Sequence, residues 1–139
     1  MSTLEVLNDN LLHTTTVLIA EQNIADAERI TQLLEQTYPY AYHTYRVNAF
    51  DDISPALDEI CFDVLILNLE LPDRSGLSNV TQLRENFPRL PIVVLTGQDD
   101  MNEAIDSLKC GAQEYITKND ITADLSLIHI SEPTRPIHI

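Results

Sequence analysis

The sequence predicts an open α/β domain, a parallel sheet with helices on both faces. Three observations predict it. Apolar runs too short for helices recur along the chain. Between them lie stretches whose apolar residues fall three and four apart, the spacing of one helical face. Proline, glycine and acidic residues punctuate the joins. Such alternation favours parallel strands joined by right-handed helical crossovers.

The first strand is Val17-Leu18-Ile19-Ala20, apolar and bounded by polar residues. Asn23 can cap the helix that follows, with Asp26 in its first turn, where the helix dipole favours an acid. Ile24, Ala27, Ile30 and Leu34 share one face of that helix, and Pro39 closes it. Residues 42–47 alternate loosely and predict a second, less buried strand. Asp51 is placed to cap a short second helix that tolerates Pro55 in its first turn and carries Ala56, Leu57 and Ile60. Asp63-Val64-Leu65-Ile66-Leu67 is apolar almost throughout, as a central strand is. Pro72, Asp73 and Gly76 mark a loop. Leu77, Val80, Leu83 and Phe87 form a third helical stripe that Pro88 ends. Pro91-Ile92-Val93-Val94-Leu95 is the fourth strand. Asp99 or Asp100 caps a fourth helix carrying Met101, Ile105 and Leu108, with Gly111 as its C-terminal stop. Residues 113–117 make a fifth strand, and Ile121 begins a fifth helix. Periodicity alone leaves two strand orders open, 2-1-3-4-5 and that of a dinucleotide-binding half. No G-x-G-x-x-G follows the first strand, which weakens the second.

A chain of 139 residues suits one compact domain, and its 44% hydrophobic content suffices for a core. No apolar run approaches the ~18 residues of a membrane span, and the N-terminus carries no signal-peptide pattern, so a cytoplasmic protein is expected. The net charge of -14 repels nucleic acid and anionic lipid, which disfavours direct DNA or membrane binding. Cys61 and Cys110 sit beside apolar residues outside any CxxC pair and are expected to be buried, reduced thiols. The four histidines show no metal-ligand spacing.

In a doubly wound sheet, function gathers at the carboxyl ends of the strands. Glu21 and Gln22 follow the first strand, Asn68 the third, Thr96 and Gly97 the fourth, and Lys118 the fifth. An acid, two amides, a hydroxyl and an amine are expected on one rim. The stretches that carry them are Val17-Leu18-Ile19-Ala20-Glu21-Gln22, Leu67-Asn68-Leu69-Glu70-Leu71-Pro72-Asp73-Arg74-Ser75-Gly76, Val94-Leu95-Thr96-Gly97 and Tyr115-Ile116-Thr117-Lys118.

These four landmarks, in order and spacing, resemble the receiver domains of bacterial response regulators over residues 16–125. The resemblance implies a flavodoxin-like five-stranded parallel sheet of order 2-1-3-4-5; the fifth helix with which family members usually end is begun here by residues 121–125 and, because the pattern then fails, is expected to be short or truncated. The resemblance also implies a two-component, phosphorelay-type signalling role. In that family an acidic pair follows the first strand, and an aspartate ends the third and accepts a phosphoryl group with help from Mg²⁺. A Ser or Thr ends the fourth strand, an aromatic lies in the fifth, and a lysine follows it. Here Asn68 occupies the acceptor position, and a neutral amide oxygen is a far poorer nucleophile than a carboxylate. Gln22 replaces the second acid of the pair, leaving Glu21 as a weak metal candidate, so Mg²⁺ binding is expected to be weak and no cofactor is expected.

The resemblance thus implies a pseudoreceiver, not an enzyme, with Asn68 as a degenerate acceptor position and Glu21 and Gln22 as a degenerate acidic pocket. Thr96, Tyr115 and Lys118 are the pocket and switch positions. Lys118 cannot ion-pair with an amide and is expected to turn toward Glu21. Plainer roles stay open: turn satisfaction for Asn68, capping for Thr96, edge packing for Tyr115. The expected partner is a signalling protein or a missing C-terminal output domain, met through the fourth helix and fifth strand. Two rivals are a conventional receiver that uses another acid, and a small-ligand sensor. Asp73, past Pro72, is expected to point away from the pocket. Asp51-Asp52, Asp58-Glu59 and Asp99-Asp100 are expected to cap helices or face solvent.

Residues 1–15 read as an N-terminal arm and 126–139 as an atypical tail. Pro133 and Pro136 forbid a continuous helix there. The string from Leu127 to Pro136 resembles translated sequencing-adapter peptides, so this tail is expected to be non-native.

Overall fold

The structure, a computed structural model, describes residues 5–6, 15–97 and 101–118. The expected fifth helix, the atypical tail and the Asp99–Asp100 cap lie outside the described residues.

In chain order the elements are β1 (Glu5–Val6), β2 (Thr15–Ala20), α1 (Ile24–Thr37), β3 (Tyr42–Val47), a three-ten turn (Phe50–Asp52) and α2 (Ile53–Glu59). There follow β4 (Val64–Asn68), α3 (Ser78–Asn86), β5 (Ile92–Thr96), α4 (Met101–Lys109) and β6 (Glu114–Thr117). The sheet order is β1-β3-β2-β4-β5-β6. Strands β2 to β6 run parallel to one another, which gives these five strands the expected order 2-1-3-4-5. Part of the segment read as an arm adds an edge strand, β1, which pairs antiparallel with β3 through Glu5 to Arg46 and Val6 to Tyr45. Two residues are too few to carry a periodicity, so no pattern marked this strand.

Alternation along the strands divides the core. Val17, Ile19, Val64, Ile66, Val93 and Leu95 face α1, where Ala27, Ile30 and Leu34 meet them. Leu18, Ala20, Leu65, Leu67, Ile92 and Val94 face the other way, packing with Ile53, Ala56, Val80 and Leu83 of α2 and α3. Burial on both faces explains why these strands read as continuous apolar runs. Ile24, placed on the same stripe, is 48% exposed, in the first turn of α1.

Two helix ends follow local chemistry. The Asn23 side chain caps α1 by accepting from the Asp26 amide at 3.0 Å. Gly111, at φ +120°, ends α4: the Ala112 amide reaches the Ser107 carbonyl and the Gly111 amide reaches that of Leu108, a pairing that needs a left-handed residue. Asp51 does not cap α2, contrary to expectation. The chain tightens there into the three-ten turn, and the cap comes from afar. The Phe50 and Asp51 amides donate to Asp73 Oδ1 and Oδ2 at 2.8 and 3.0 Å.

α4 packs through small residues. Ala104 and Ser107 are fully buried, while Met101, Ile105 and Leu108 remain 41–50% exposed. The expectation of buried cysteines fails in part. Both thiols are free, but Cys61 is exposed in the turn before β4 and Cys110 is half-buried at the end of α4.

Candidate functional site

Strand register brings the expected residues to one rim. Ala20 stands beside Val47 and Leu67, Asn68 beside Leu95, and Thr96 beside Thr117. Glu21, which follows β2, and Lys118, which follows β6, therefore reach the same end of the sheet as Asn68 and Thr96.

Glu21 is the hub. It is fully buried, so its carboxylate must be satisfied by the chain itself. Its Oε1 accepts from Asn68 Nδ2 at 2.8 Å and lies 3.1 Å from Lys118 Nζ. Its Oε2 accepts from the Asn23 amide at 2.9 Å. Its main-chain carbonyl accepts from Arg46 Nη1 at 2.9 Å. Lys118 turns toward Glu21, as the neutral amide at position 68 implied, but it has a second and closer partner, Asp26 Oδ2 at 2.8 Å. Burial pulls the Lys118 ammonium toward neutrality. The Asp26 hydrogen bond and the Glu21 charge outweigh that and hold its pKa above the ordinary lysine value.

Asn68 is buried, and both ends of its amide are engaged. Nδ2 donates to Glu21, and Oδ1 accepts from the Glu70 amide at 2.9 Å, a local turn bond. The turn-satisfying role is therefore present alongside the pocket role. Thr96 is 1% exposed, and its Oγ1 meets no hydrogen-bond partner among the described residues. Gln22 is exposed and stands outside this network. Tyr115 does not enter the pocket; its hydroxyl contacts Met101 Sδ on α4 at 3.5 Å.

Asp73 is engaged by the three-ten turn, whose Phe50 and Asp51 amides donate to its two carboxylate oxygens. Burial pushes its carboxyl pKa up. The amides of Asp51 and Phe50, its own amide and the nearby Arg74 together hold it below the ordinary value. Arg74 lies over the Phe50 ring at 4.8 Å and ties the same loop down.

Asp26 and Arg46 are the site residues that sequence reasoning missed. Asp26 had a sufficient local explanation in the helix dipole. Arg46 alternates into a strand as an ordinary polar residue would. Neither carries a spacing signal toward Lys118 or Glu21.

The donor set does not fit Mg²⁺, which prefers several charged oxygens in an octahedral array. The buried rim offers one carboxylate, and an amide N–H and an ammonium already converge on its Oε1. Among the described residues no group of three or more His, Cys, Asp and Glu side chains is gathered to hold a metal. A cavity of about 420 Å³, lined by Leu57, Phe62, Phe87 and Leu90 among others, lies at the amino ends of β4 and β5, the end opposite the rim.

The sequence profile of the Response regulator receiver domain family matches residues 17–128. The DNA-binding transcriptional regulator NtrC of Proteus hauseri is 33% identical over 92 residues, covering 62% of this chain and 20% of that protein. The transcriptional regulatory protein PhoP of Escherichia coli (strain K12) is 40% identical over 62 residues, covering 45% of this chain and 28% of that protein. The chain thus spans under a third of the length of these curated relatives. Among solved structures, the receiver domain of NtrX from Brucella abortus superposes with a TM-score of 0.66 at 16% identity, over 76% of this chain and 91% of that one, a likeness of fold.

Proposed function

The chain belongs to the response regulator receiver domain family, and from that premise we propose that it is a pseudoreceiver, a signalling module that takes no phosphoryl group at Asn68 and acts through protein contacts. One observation carries the reading. The side chain at the acceptor position is a neutral amide whose nitrogen donates to Glu21 and whose oxygen accepts from the Glu70 amide. A carboxylate would present a charged oxygen to a phosphodonor; here the oxygen is neutral and already engaged. On this reading the chain is not an enzyme and binds Mg²⁺ weakly.

The contact surface we assign is α4 with β6. Met101, Ile105 and Leu108 stand exposed on α4, and Tyr115 touches Met101 from β6. An apolar stripe of this kind favours a protein partner or a linked output domain. The net charge of -14 argues against nucleic acid as the direct partner of this chain. The same reading places the protein in the bacterial cytoplasm. No described helix is long and apolar enough to cross a membrane.

Incubation with acetyl phosphate and Mg²⁺, followed by intact-mass measurement, tests the proposal. No stable adduct of one phosphate is expected on the natural sequence. Asn68→Asp should gain some reactivity, and Asn68→Asp with Gln22→Asp should gain more. A stoichiometric, base-labile phosphate adduct on the natural sequence would sink the pseudoreceiver reading and favour a receiver that uses another acid.

A further inference from the structure

Asp26 has no counterpart among the landmarks that define the acceptor pocket, yet it makes the closer of the two ion pairs of Lys118, 2.8 Å against 3.1 Å for Glu21. Its placement is fixed by the fold. The Asp26 amide donates to the Asn23 cap, which sets the first turn of α1 against the end of β2. The side chains of Asp26 and Lys118 are only 22% and 32% exposed, so solvent screens the pair in part. Asn68 offers Lys118 no charge, and its oxygen is taken by Glu70. The ammonium is therefore drawn toward α1 by an anion that the chain itself supplies. Across the rim, the buried Thr96 hydroxyl meets no partner among the described residues.

We propose that Asp26 is a positioning residue, a permanent internal anion that holds Lys118 and the end of β6 where an acceptor carboxylate or its phosphoryl group would otherwise hold them. The proposal rests on the reading that Asn68 is not phosphorylated. It deepens that reading, because the state of the Thr96 and Tyr115 face is then set by folding rather than by a phosphodonor. It also means that restoring an aspartate at position 68 leaves Lys118 still engaged elsewhere.

The test compares the full chain with Asp26→Ala and Asp26→Glu by nuclear magnetic resonance of the Thr96, Tyr115 and Thr117 amides. Asp26→Ala should shift or broaden all three, and Asp26→Glu should return them toward their original positions. Lys118→Met, which removes the other partner, should reproduce the Asp26→Ala pattern. Unmoved resonances in Asp26→Ala, or Asp26→Glu behaving like Asp26→Ala, overturn the proposal. A second arm places Asp26→Ala in the Asn68→Asp, Gln22→Asp background with Mg²⁺ and acetyl phosphate, where the new carboxylate oxygen attacks phosphorus and acetate leaves. Freeing Lys118 should raise the initial rate of phosphate incorporation by up to about fivefold, the scale of a partly exposed ion pair. Incorporation slowed by Asp26→Ala overturns the proposal. Phosphate on the natural sequence would overturn the pseudoreceiver reading instead, and the resonance comparison would still decide the role of Asp26.

Discussion

Replacing Asn68 by aspartate converts a hydrogen-bond donor into a second carboxylate facing a fully buried one. Asn68 Nδ2 and Glu21 Oε1 are 2.8 Å apart. At that separation, with an effective dielectric of ~20, two unit charges repel by roughly 6 kcal/mol. Lys118, 3.1 Å from the same oxygen, offsets part of this, and side-chain relaxation offsets more. A net loss of about 2–4 kcal/mol at neutral pH remains, in line with leaving a buried charge poorly paired. For a domain of this size that is a fall of roughly 8–15 °C in melting temperature. Urea and thermal unfolding followed by circular dichroism, in chelator at pH 7, measure it. Millimolar Mg²⁺ should narrow the deficit, since a cation that binds only the folded variant stabilises it. An Asn68→Asp variant as stable as the natural sequence in chelator at pH 7 would refute the buried Asn68–Glu21 contact and the argument built on it.

Three further substitutions probe neighbouring features. Lys118→Met leaves the Glu21 charge with neutral donors and should cost about 1–3 kcal/mol, discounted because solvent reaches the ammonium. A lysine raised in the folded state stabilises fully below its unfolded value and ceases to as pH rises through the folded one. The stability gap between Lys118→Met and the natural sequence should therefore close above the ordinary lysine value of 10.5 in a pH series of urea midpoints. Asp73→Ala removes the remote cap on Phe50 and Asp51 and should cost about 1 kcal/mol. The Asp73 carboxyl is held below its ordinary 3.8, so its contribution is present above that value, and the gap should vanish as pH falls through the folded one. Gly111→Ala puts a Cβ 3.1 Å from Arg84 Cγ at φ +120° and should cost about 1–3 kcal/mol in chemical denaturation.

Much of the fold was legible because burial on both sheet faces writes itself as apolar runs, and because Asn23 and Gly111 act on backbone groups within a few residues. The rim was legible for a related reason: residues that end parallel strands must share one edge. What stayed hidden depends on partners far apart in the chain. Asp51 looked like a cap, but the capping carboxylate belongs to Asp73, 22 residues on. Asp26 had an adequate local explanation, yet its charge serves Lys118, 92 residues away. The apolar spacing of Met101, Ile105 and Leu108 identified a helix without revealing which side meets the sheet. Ala104 and Ser107 decide that, because small residues let α4 approach closely, and the larger side chains are left outward.

The pocket keeps an electrostatic balance with an amide at position 68. A carboxylate there, with Glu21, would have given Lys118 two anions. Asn68 removes one and inserts a donor, which on its own would leave Glu21 as the single anion of the ammonium and expose the end of β6 to fewer constraints. Asp26 supplies the second anion from the first turn of α1. The ammonium thus faces two carboxylates, and Glu21 is spared a like charge at hydrogen-bond distance, because its neighbour at position 68 now donates. Repulsion between acids, which a cation would otherwise have to relieve, is replaced by hydrogen bonds complete within the chain. On the proposed pseudoreceiver reading, hydrogen bonds and ion pairs within the chain hold Glu21, Asn68 and Lys118 without a phosphoryl group, and the α4–β6 surface is set when the chain folds.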